Sequence, residues 1–280
     1  MEFSKYHGAG NDFIVIHPTS VPIGVDLVAL SRAICNRRYG IGADGVLISE
    51  ESQIADAKMR ILNPDGSEAE MCGNGIRCFA KYAYDNGIVR TKEMNIETLA
   101  GVKNVKILEG EMVLVEMGEP LFDREDIPAN GEGKFIEHPL EGLTVSALNM
   151  GVPHAIVFSE DLSSVDVKKL GKTIRLNETF PKGINVDFAA QIGKNTFKVR
   201  TYERGVEDET NACGTGVAAS VALAVVLGKA KANEPISVDT KGGSYNVWVK
   251  TEGDKITQVT LGGPVAHVFD GKVDLGNLVG

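Results

Sequence analysis

Two cysteines, each followed by Gly-x-Gly, are the residues of this sequence best suited to acid–base chemistry. The segments Cys72–Gly75 (CGNG) and Cys213–Gly216 (CGTG) each stand where a polar loop gives way to an apolar helical pattern. The free backbone N–H groups at the start of a helix favour a negative charge. We therefore expect these N–H groups to lower the pKa of both thiols, or to hold a substrate carboxylate.

The sequence around the first cysteine resembles the sequence around the second, which indicates a duplicated domain. Residues 59–87 and 199–228 each read as a strand, an acidic turn, Cys-Gly-x-Gly, a long helix and a glycine. The two cysteines are about half the chain length apart, a period that predicts two similar domains rather than a solenoid. We place the halves at 1–118, with 263–280 returning to it, and 119–262, with the Pro- and Gly-rich stretch 119–141 as a linker.

Paired thiols in matching halves suit one reaction in particular. Equivalent loops of duplicated domains often meet across a cleft, which would put one thiol on each side of a substrate carbon. A thiolate on one side removes a proton and a thiol on the other side delivers one, which is racemisation or epimerisation. Two inert, buried cysteines are the alternative that the pattern leaves open.

The remaining pattern predicts a mixed α/β (α+β) chain. A helix capped by Asp26 is predicted, with helices at about 75–86 and 214–227. Short alternating runs predict strands at 13–17, 45–49, 58–62, 103–108, 112–117, 155–158, 197–202, 245–249 and 256–261.

Composition and cysteine usage narrow the function classes. The net charge of −9 argues against nucleic acid or an anionic membrane as the main partner, although a small anionic substrate stays possible. The longest apolar run, Val217–Leu227, is about half the length of a spanning helix, and no export signal is visible, so we expect a cytoplasmic protein with reduced thiols. The histidines lack metal-ligand spacing, so no metal is expected, and Cys35 and Cys78 fit core positions.

The motifs HGAGNDF, LNPDGSEAEMCGNGIRC, GVPH, GINVDF and YERGVEDETNACGTG occur in this order. Together they resemble the diaminopimelate epimerase family, over essentially the whole chain from Met1 to about Gly271. The resemblance implies two pseudo-symmetric domains, each a curved, mostly antiparallel sheet wrapped around a central helix. It also implies cofactor-independent interconversion of LL- and meso-diaminopimelate, which feeds lysine and peptidoglycan synthesis, by a homodimer.

The same resemblance assigns roles to residues. Cys72 and Cys213 are the implied acid/base pair, and His154 and Glu203 are implied to adjust the pKa values of the thiols. Arg204 suits a distal carboxylate, because its planar guanidinium binds two carboxylate oxygens at once. The implied substrate contacts are Asn11, Asn63, Gly73, Asn74, Asn185, Glu203, Arg204, Gly214 and Thr215.

Two positions depart from the family pattern, and two other functions remain open. Val152 stands where many members have Asn, and Gly45 stands where some have Gln. A related cysteine-pair racemase acting on proline or hydroxyproline is one alternative, although proline has no distal carboxylate for Arg204. A redox or binding protein that joins Cys72 and Cys213 in a reversible disulfide is the other.

Overall fold

The computed structural model describes residues 1–277, and the chain divides into two compact units. The first unit is Met1–Val115 together with the segment from Gly263 onward, and the second is Glu116–Gly262. The helices are α1 (Leu27–Cys35), α2 (Gly73–Asp85), α3 (Val167–Arg175) and α4 (Gly214–Val226). The strands are β1 (Glu2–Gly8), β2 (Asn11–Ile16), β3 (Gly45–Glu50), β4 (Ala57–Leu62), β5 (Glu68–Ala69), β6 (Glu93–Thr98), β7 (Gly101–Ile107), β8 (Met112–Gly118), β9 (His138–Leu140), β10 (Leu143–Asn149), β11 (Pro153–Phe158), β12 (Asn185–Gly193), β13 (Thr196–Glu203), β14 (Asp208–Thr210), β15 (Ile236–Asp239), β16 (Ser244–Glu252), β17 (Lys255–Pro264) and β18 (Ala266–Lys272).

In the first unit, a mixed sheet wraps around α2. Strand β2 pairs with β1 in antiparallel and with β3 in parallel register, and β3 continues antiparallel to β4. The C-terminal β18 returns to pair antiparallel with β1. Helix α2 contacts β1 to β4, β6, β7 and β18, and its side chains from Ile76 to Ala80 are buried. The helix is therefore the centre of this unit's core.

The second unit repeats the plan around α4. Strand β11 pairs in parallel with β12, and β12 continues antiparallel to β13. Helix α4 packs on β10 through β13 and on β16, and every residue from Gly214 to Ala224 is buried. An all-round apolar helix requires such a central position. Among residues 1–277, no helix combines the length and apolar character needed to cross a membrane.

The predicted helices occur close to their expected bounds, and one further helix was missed. The carboxylate of Asp26 accepts a hydrogen bond from the Val28 N–H, which confirms the predicted N-cap of α1. The missed helix, α3, carries Gly171 in its interior, a residue that normally weakens a helix. A β-carbon at Gly171 would lie 2.4 Å from the Cβ of Tyr202, so glycine lets α3 approach β13 closely.

The predicted linker 119–141 is packed rather than free. Ile127 and Phe135 are buried in the core of the second unit, together with Val145 and Phe188. The predicted linker was wrong. The prolines, glycines and charges of this stretch are typical of a linker, but Ile127 and Phe135 fix it to the core.

Candidate active site

Cys72 caps the start of α2. It has extended backbone geometry, and its sulfur accepts a hydrogen bond from the Gly75 N–H at 3.3 Å. The thiol also donates toward Oδ1 of Asn11, 3.7 Å away, and the same oxygen accepts from the side chain of Asn74 at 3.2 Å. Three of the predicted site residues, Asn11, Cys72 and Asn74, are therefore brought together in the first unit.

A hydrogen bond to Asp44 holds the side-chain amide of Asn11 in one orientation. Its Nδ2 donates to Asp44 at 2.8 Å, so its oxygen faces Cys72. Asp44 is in turn bound by Arg37, which also makes two hydrogen bonds to Asp12. Since a carboxylate only accepts hydrogen bonds, Asp44 fixes which end of the amide points at the thiol.

Asn63 follows β4, and its side-chain amide donates a hydrogen bond within its own turn. Its side chain donates to the hydroxyl of Ser67 at 2.9 Å, and its backbone oxygen accepts from Ser31 of α1. The predicted substrate contact at Asn63 stays a prediction.

Cys213 stands at the matching position before α4. Its sulfur lies 3.3 Å from the hydroxyl oxygen of Thr215, in the first turn of the helix. That hydroxyl lies 2.9 Å from Nε2 of His154, on β11. The structure thus links three predicted site residues of the second unit in one line of hydrogen bonds.

The line continues into the interior of the second unit. Nδ1 of His154 lies 2.7 Å from Asp187, and both side chains are fully buried. The other carboxylate oxygen of Asp187 accepts from the Thr201 hydroxyl at 2.6 Å. The carboxylate also packs against the first turn of α4, since a β-carbon at Gly216 would lie 2.3 Å from it.

The electrostatic surroundings of Cys213 differ from the expectation for a helix start. Burial raises the pKa of the Cys213 thiol well above its usual value, and the negative charges of Glu203 and Asp187 raise this pKa further. The Thr215 hydroxyl and the Gly216 N–H act in the opposite direction but are weaker. The predicted lowering of the pKa is therefore wrong for Cys213, because desolvation and two carboxylates outweigh the helix start.

Arg204 follows directly after β13. Its guanidinium donates to the carbonyl oxygens of Lys182 and Gly183, at 3.3 and 3.2 Å. Asn185 holds this segment, since its side-chain oxygen accepts from the Arg204 backbone N–H and its Nδ2 donates to Pro153. Within residues 1–277, no carboxylate lies within ion-pair distance of the half-buried Arg204 side chain.

The two units differ at equivalent positions beside their cysteines. Phe13 pairs with Gly45 as His154 pairs with Asn185, so Phe13 and His154 are equivalent. By the same register, Leu47 corresponds to Asp187, and the partner of Leu47, Ile61, corresponds to Thr201. The buried polar residues of the second unit are thus replaced by an apolar cluster, Phe13, Leu47 and Ile61, in the first.

Asp187, Thr201 and Asp44 were missed by the sequence reasoning. Asp187 lies within the quoted motif GINVDF, and a charged residue inside an apolar strand is the signal that could have revealed it. Asp44 carries no comparable signal, because an aspartate after a glycine-rich turn is common on any surface.

The two departures from the family pattern have different surroundings. At Gly45, a β-carbon would lie 3.1 Å from the Leu62 carbonyl oxygen and 3.3 Å from the Phe13 ring, so a larger side chain would require these neighbours to move. Val152 contributes its backbone oxygen, which accepts from the Met150 N–H.

Among the described residues, no cluster of three or more histidine, cysteine or acidic side chains could hold a metal ion.

Comparisons with known proteins identify relatives of this chain. A protein of Methanocella arvoryzae described as diaminopimelate epimerase is 46% identical over 280 residues, covering 98% of this chain and 97% of that protein. One of Alkaliphilus metalliredigens with the same description is 42% identical, covering 97% and 96%. A solved structure of a probable proline racemase from Agrobacterium radiobacter K84 has a TM-score of 0.70 over 98% of this chain and 93% of that chain, and at 20% identity it shows a shared fold.

The family model described as diaminopimelate epimerase matches residues 3–122 and 146–267. These segments contain both Cys-Gly-x-Gly motifs and every predicted site residue. With near-complete coverage by relatives above 40% identity, the chain belongs to the diaminopimelate epimerase family.

Proposed function

We propose that this chain is an isomerase that interconverts LL- and meso-diaminopimelate, with Cys72 and Cys213 as the two acid/base groups. The observation that carries the proposal is the matched placement of the two thiols, each immediately before the first turn of a buried central helix. The family membership adds the substrate, since the relatives carry diaminopimelate in their descriptions. No cofactor is needed in this mechanism, because both proton transfers involve protein thiols.

The reaction requires one thiolate and one thiol on opposite faces of the α-carbon. The thiolate removes the α-proton, and the opposite thiol delivers a proton to the other face. Negative charge grows onto the oxygens of the reacting carboxylate as the proton leaves. Backbone N–H groups of Gly73, Asn74, Gly214 and Thr215 belong to helix starts and are suited to stabilise that charge.

Arg204 is the residue that suits the non-reacting end of the substrate. Its guanidinium is anchored by two carbonyl oxygens, and no described carboxylate neutralises it. A substrate carboxylate would supply the missing negative charge in a bidentate contact. Proline has no second carboxylate, so this contact favours diaminopimelate over the proline racemase alternative.

Solvent exchange tests the proposal. LL-diaminopimelate incubated with the protein in D2O should gain α-deuterium, and this gain should be lost in Cys72→Ala and in Cys213→Ala. Cys78→Ala, which alters the buried cysteine inside α2, is the control and should retain exchange. Full exchange by both single variants would refute the two-thiol mechanism. Exchange with proline but not with diaminopimelate would establish the proline racemase alternative. If no substrate exchanged and Cys72 and Cys213 formed a reversible disulfide, the dithiol alternative would be favoured.

We also propose a cytoplasmic homodimer without nucleic-acid or membrane partners. The acidic net charge of −9 supports the second part, because nucleic acid and anionic lipid both attract basic surfaces. Light scattering on the purified protein should give twice the chain mass. Localisation of a tagged protein by cell fractionation tests the compartment.

A further inference from the structure

A line of buried hydrogen bonds connects Cys213 to the interior of the second unit. It runs from the Cys213 sulfur to the Thr215 hydroxyl at 3.3 Å, then to Nε2 of His154 at 2.9 Å. From Nδ1 of His154 it reaches Asp187 at 2.7 Å, and Thr201 closes it at 2.6 Å. His154 and Asp187 are fully buried, and Thr215 and Thr201 are 6% and 3% exposed, so water does not compete for these bonds.

The direction of each bond follows from the chemistry of its end. Asp187 as a carboxylate only accepts, so Nδ1 of His154 and the Thr201 hydroxyl must both donate to it. In a neutral imidazole protonated at Nδ1, Nε2 is an acceptor, so the Thr215 hydroxyl donates its proton to His154. The Thr215 oxygen is then left to accept from the Cys213 S–H. The donors therefore run in one direction from Cys213 through Thr215 and His154 to Asp187, which also accepts from Thr201.

We propose that Cys213, Thr215 and His154 form a hydroxyl-bridged proton relay that converts the Cys213 thiol to thiolate, with Asp187 and Thr201 as positioning residues. The inference rests on the proposed function, because it explains how this thiol becomes the base. The S–H bond of Cys213 breaks as its proton bonds to the Thr215 oxygen. The former hydroxyl proton bonds to Nε2 of His154, which leaves thiolate and imidazolium with no change in net charge.

The charges that face Cys213 explain why such a relay is needed. Burial and the carboxylates of Glu203 and Asp187 raise the pKa of this thiol, so release of its proton directly to solvent is unfavourable near neutral pH. Transfer to His154 instead places the positive charge next to Asp187, where a buried ion pair compensates it. The group that opposes the isolated thiolate thus stabilises the relay's product.

In the first unit, the positions equivalent to His154, Asp187 and Thr201 carry apolar side chains. Phe13, Leu47 and Ile61 occupy the positions of His154, Asp187 and Thr201, and none of them can take a proton. The side chains near Cys72 are the amides of Asn11 and of Asn74, which stands at the position of Thr215. Amides form hydrogen bonds but do not take up a proton near neutral pH. The relay therefore belongs to one of the two thiols.

Alkylation of Cys213 by iodoacetamide tests the relay without any substrate. In a Cys72→Ala background, the rate is followed from pH 5 to pH 11 by mass spectrometry of the Cys213 peptide. Thiolate formed by internal transfer has the same proton count as the thiol form, so it should give a pH-independent plateau of reactivity around neutral pH. Loss of the proton to solvent should add a second rise at high pH.

Two changes at one residue, one that removes the hydroxyl and one that keeps it, decide the result. Thr215→Val should lower the plateau by about tenfold or more and leave the rise at high pH, whereas Thr215→Ser should restore the plateau. Asp187→Asn should also lower it, and Ser220→Ala, which removes another buried hydroxyl of α4, is the matched control. An unchanged plateau in Thr215→Val, or equal loss in the Val and Ser variants, would overturn the relay.

The ring of His154 gives an independent readout. ¹⁵N NMR of the resting protein should find a protonated Nδ1 and an unprotonated Nε2. A ring protonated at Nε2 alone would overturn the assigned bond directions. Failure of these tests would leave the solvent-exchange result with diaminopimelate intact, so the relay and the proposed function fail separately.

Discussion

Leu47 and Asp187 occupy the same position in the two repeated units, one as an aliphatic core residue and the other as a buried carboxylate. Each lies against the glycine two positions into the adjacent central helix, Gly75 in the first unit and Gly216 in the second. The two units therefore share the same strand register, while the second places a buried carboxylate beside its central helix where the first places an aliphatic side chain.

Adding a methyl group at these two glycines should have unequal effects. A β-carbon at Gly216 would lie 2.3 Å from the Asp187 oxygen, whereas at Gly75 the nearest contacts are 3.3 Å, to Cys72 and Leu47. Gly216→Ala should therefore cost about 2–3 kcal/mol of unfolding free energy, and Gly75→Ala about 1 kcal/mol or less. Urea denaturation measures both, and a larger loss in Gly75→Ala would contradict the close approach of Asp187 to α4.

Replacing Arg204 with lysine should mainly weaken substrate binding. Lysine keeps the charge but loses the paired N–H geometry and the anchor to the Lys182 and Gly183 carbonyls. We expect kcat/KM for diaminopimelate to fall about 30- to 100-fold, mostly through a higher KM, because the contact involves the non-reacting end. Arg175→Lys, at an arginine paired with Glu207, is the control and should leave both constants near the parent values.

The four cysteines should differ in reactivity in the folded protein. Burial raises the pKa of the Cys35 thiol to about 11, and it also raises the pKa values of Cys78 and Cys213. At pH 8 these three groups are mainly thiols, and each is 9% exposed or less. Brief iodoacetamide treatment followed by peptide mass spectrometry should therefore find Cys72 labelled first, whereas in urea all four should react alike.

Acid should weaken the first unit through Asp12. Burial opposes ionisation of this carboxyl, but hydrogen bonds from Arg37 and Lys5 hold its pKa far below the usual value. Because the folded-state pKa is depressed, the stabilisation is complete above about pH 4, the unfolded value, and declines as the pH falls below it.

Asp12→Asn should accordingly lose about 2 kcal/mol at pH 7, because it leaves the buried Lys5 ammonium without its carboxylate. Its further loss of stability between pH 4 and pH 2 should be smaller than that of the parent. Urea titrations at several pH values measure this, with Glu2→Gln at an exposed ion pair as the control. Parallel acid profiles for parent and variant would exclude Asp12 as the responsible group.

Much of the site could be predicted from the sequence because its signals are local. The cysteine before a glycine-rich helix start, the repeat, and the central helix Gly214–Val226 are each visible in a short window of residues. The hydrogen-bond line beyond His154 was not predicted, because the parallel pairing of β11 with β12 and the packing of Asp187 on α4 join residues distant in sequence. The direction of the Cys213 pKa shift was missed for the same reason, since burial and Asp187 act through tertiary structure.

The return of β18 to β1 makes the first unit discontinuous in the polypeptide, and the N-terminal ammonium of Met1 donates to the Val273 carbonyl at 2.8 Å. During synthesis on a ribosome, the second unit has all of its residues before the first unit receives its final strand. The second unit, which is the middle of the chain, should therefore complete its fold before the first unit does. Placing the segment that carries β18 ahead of β1 by circular permutation would make the first unit continuous in the chain and remove this order of formation.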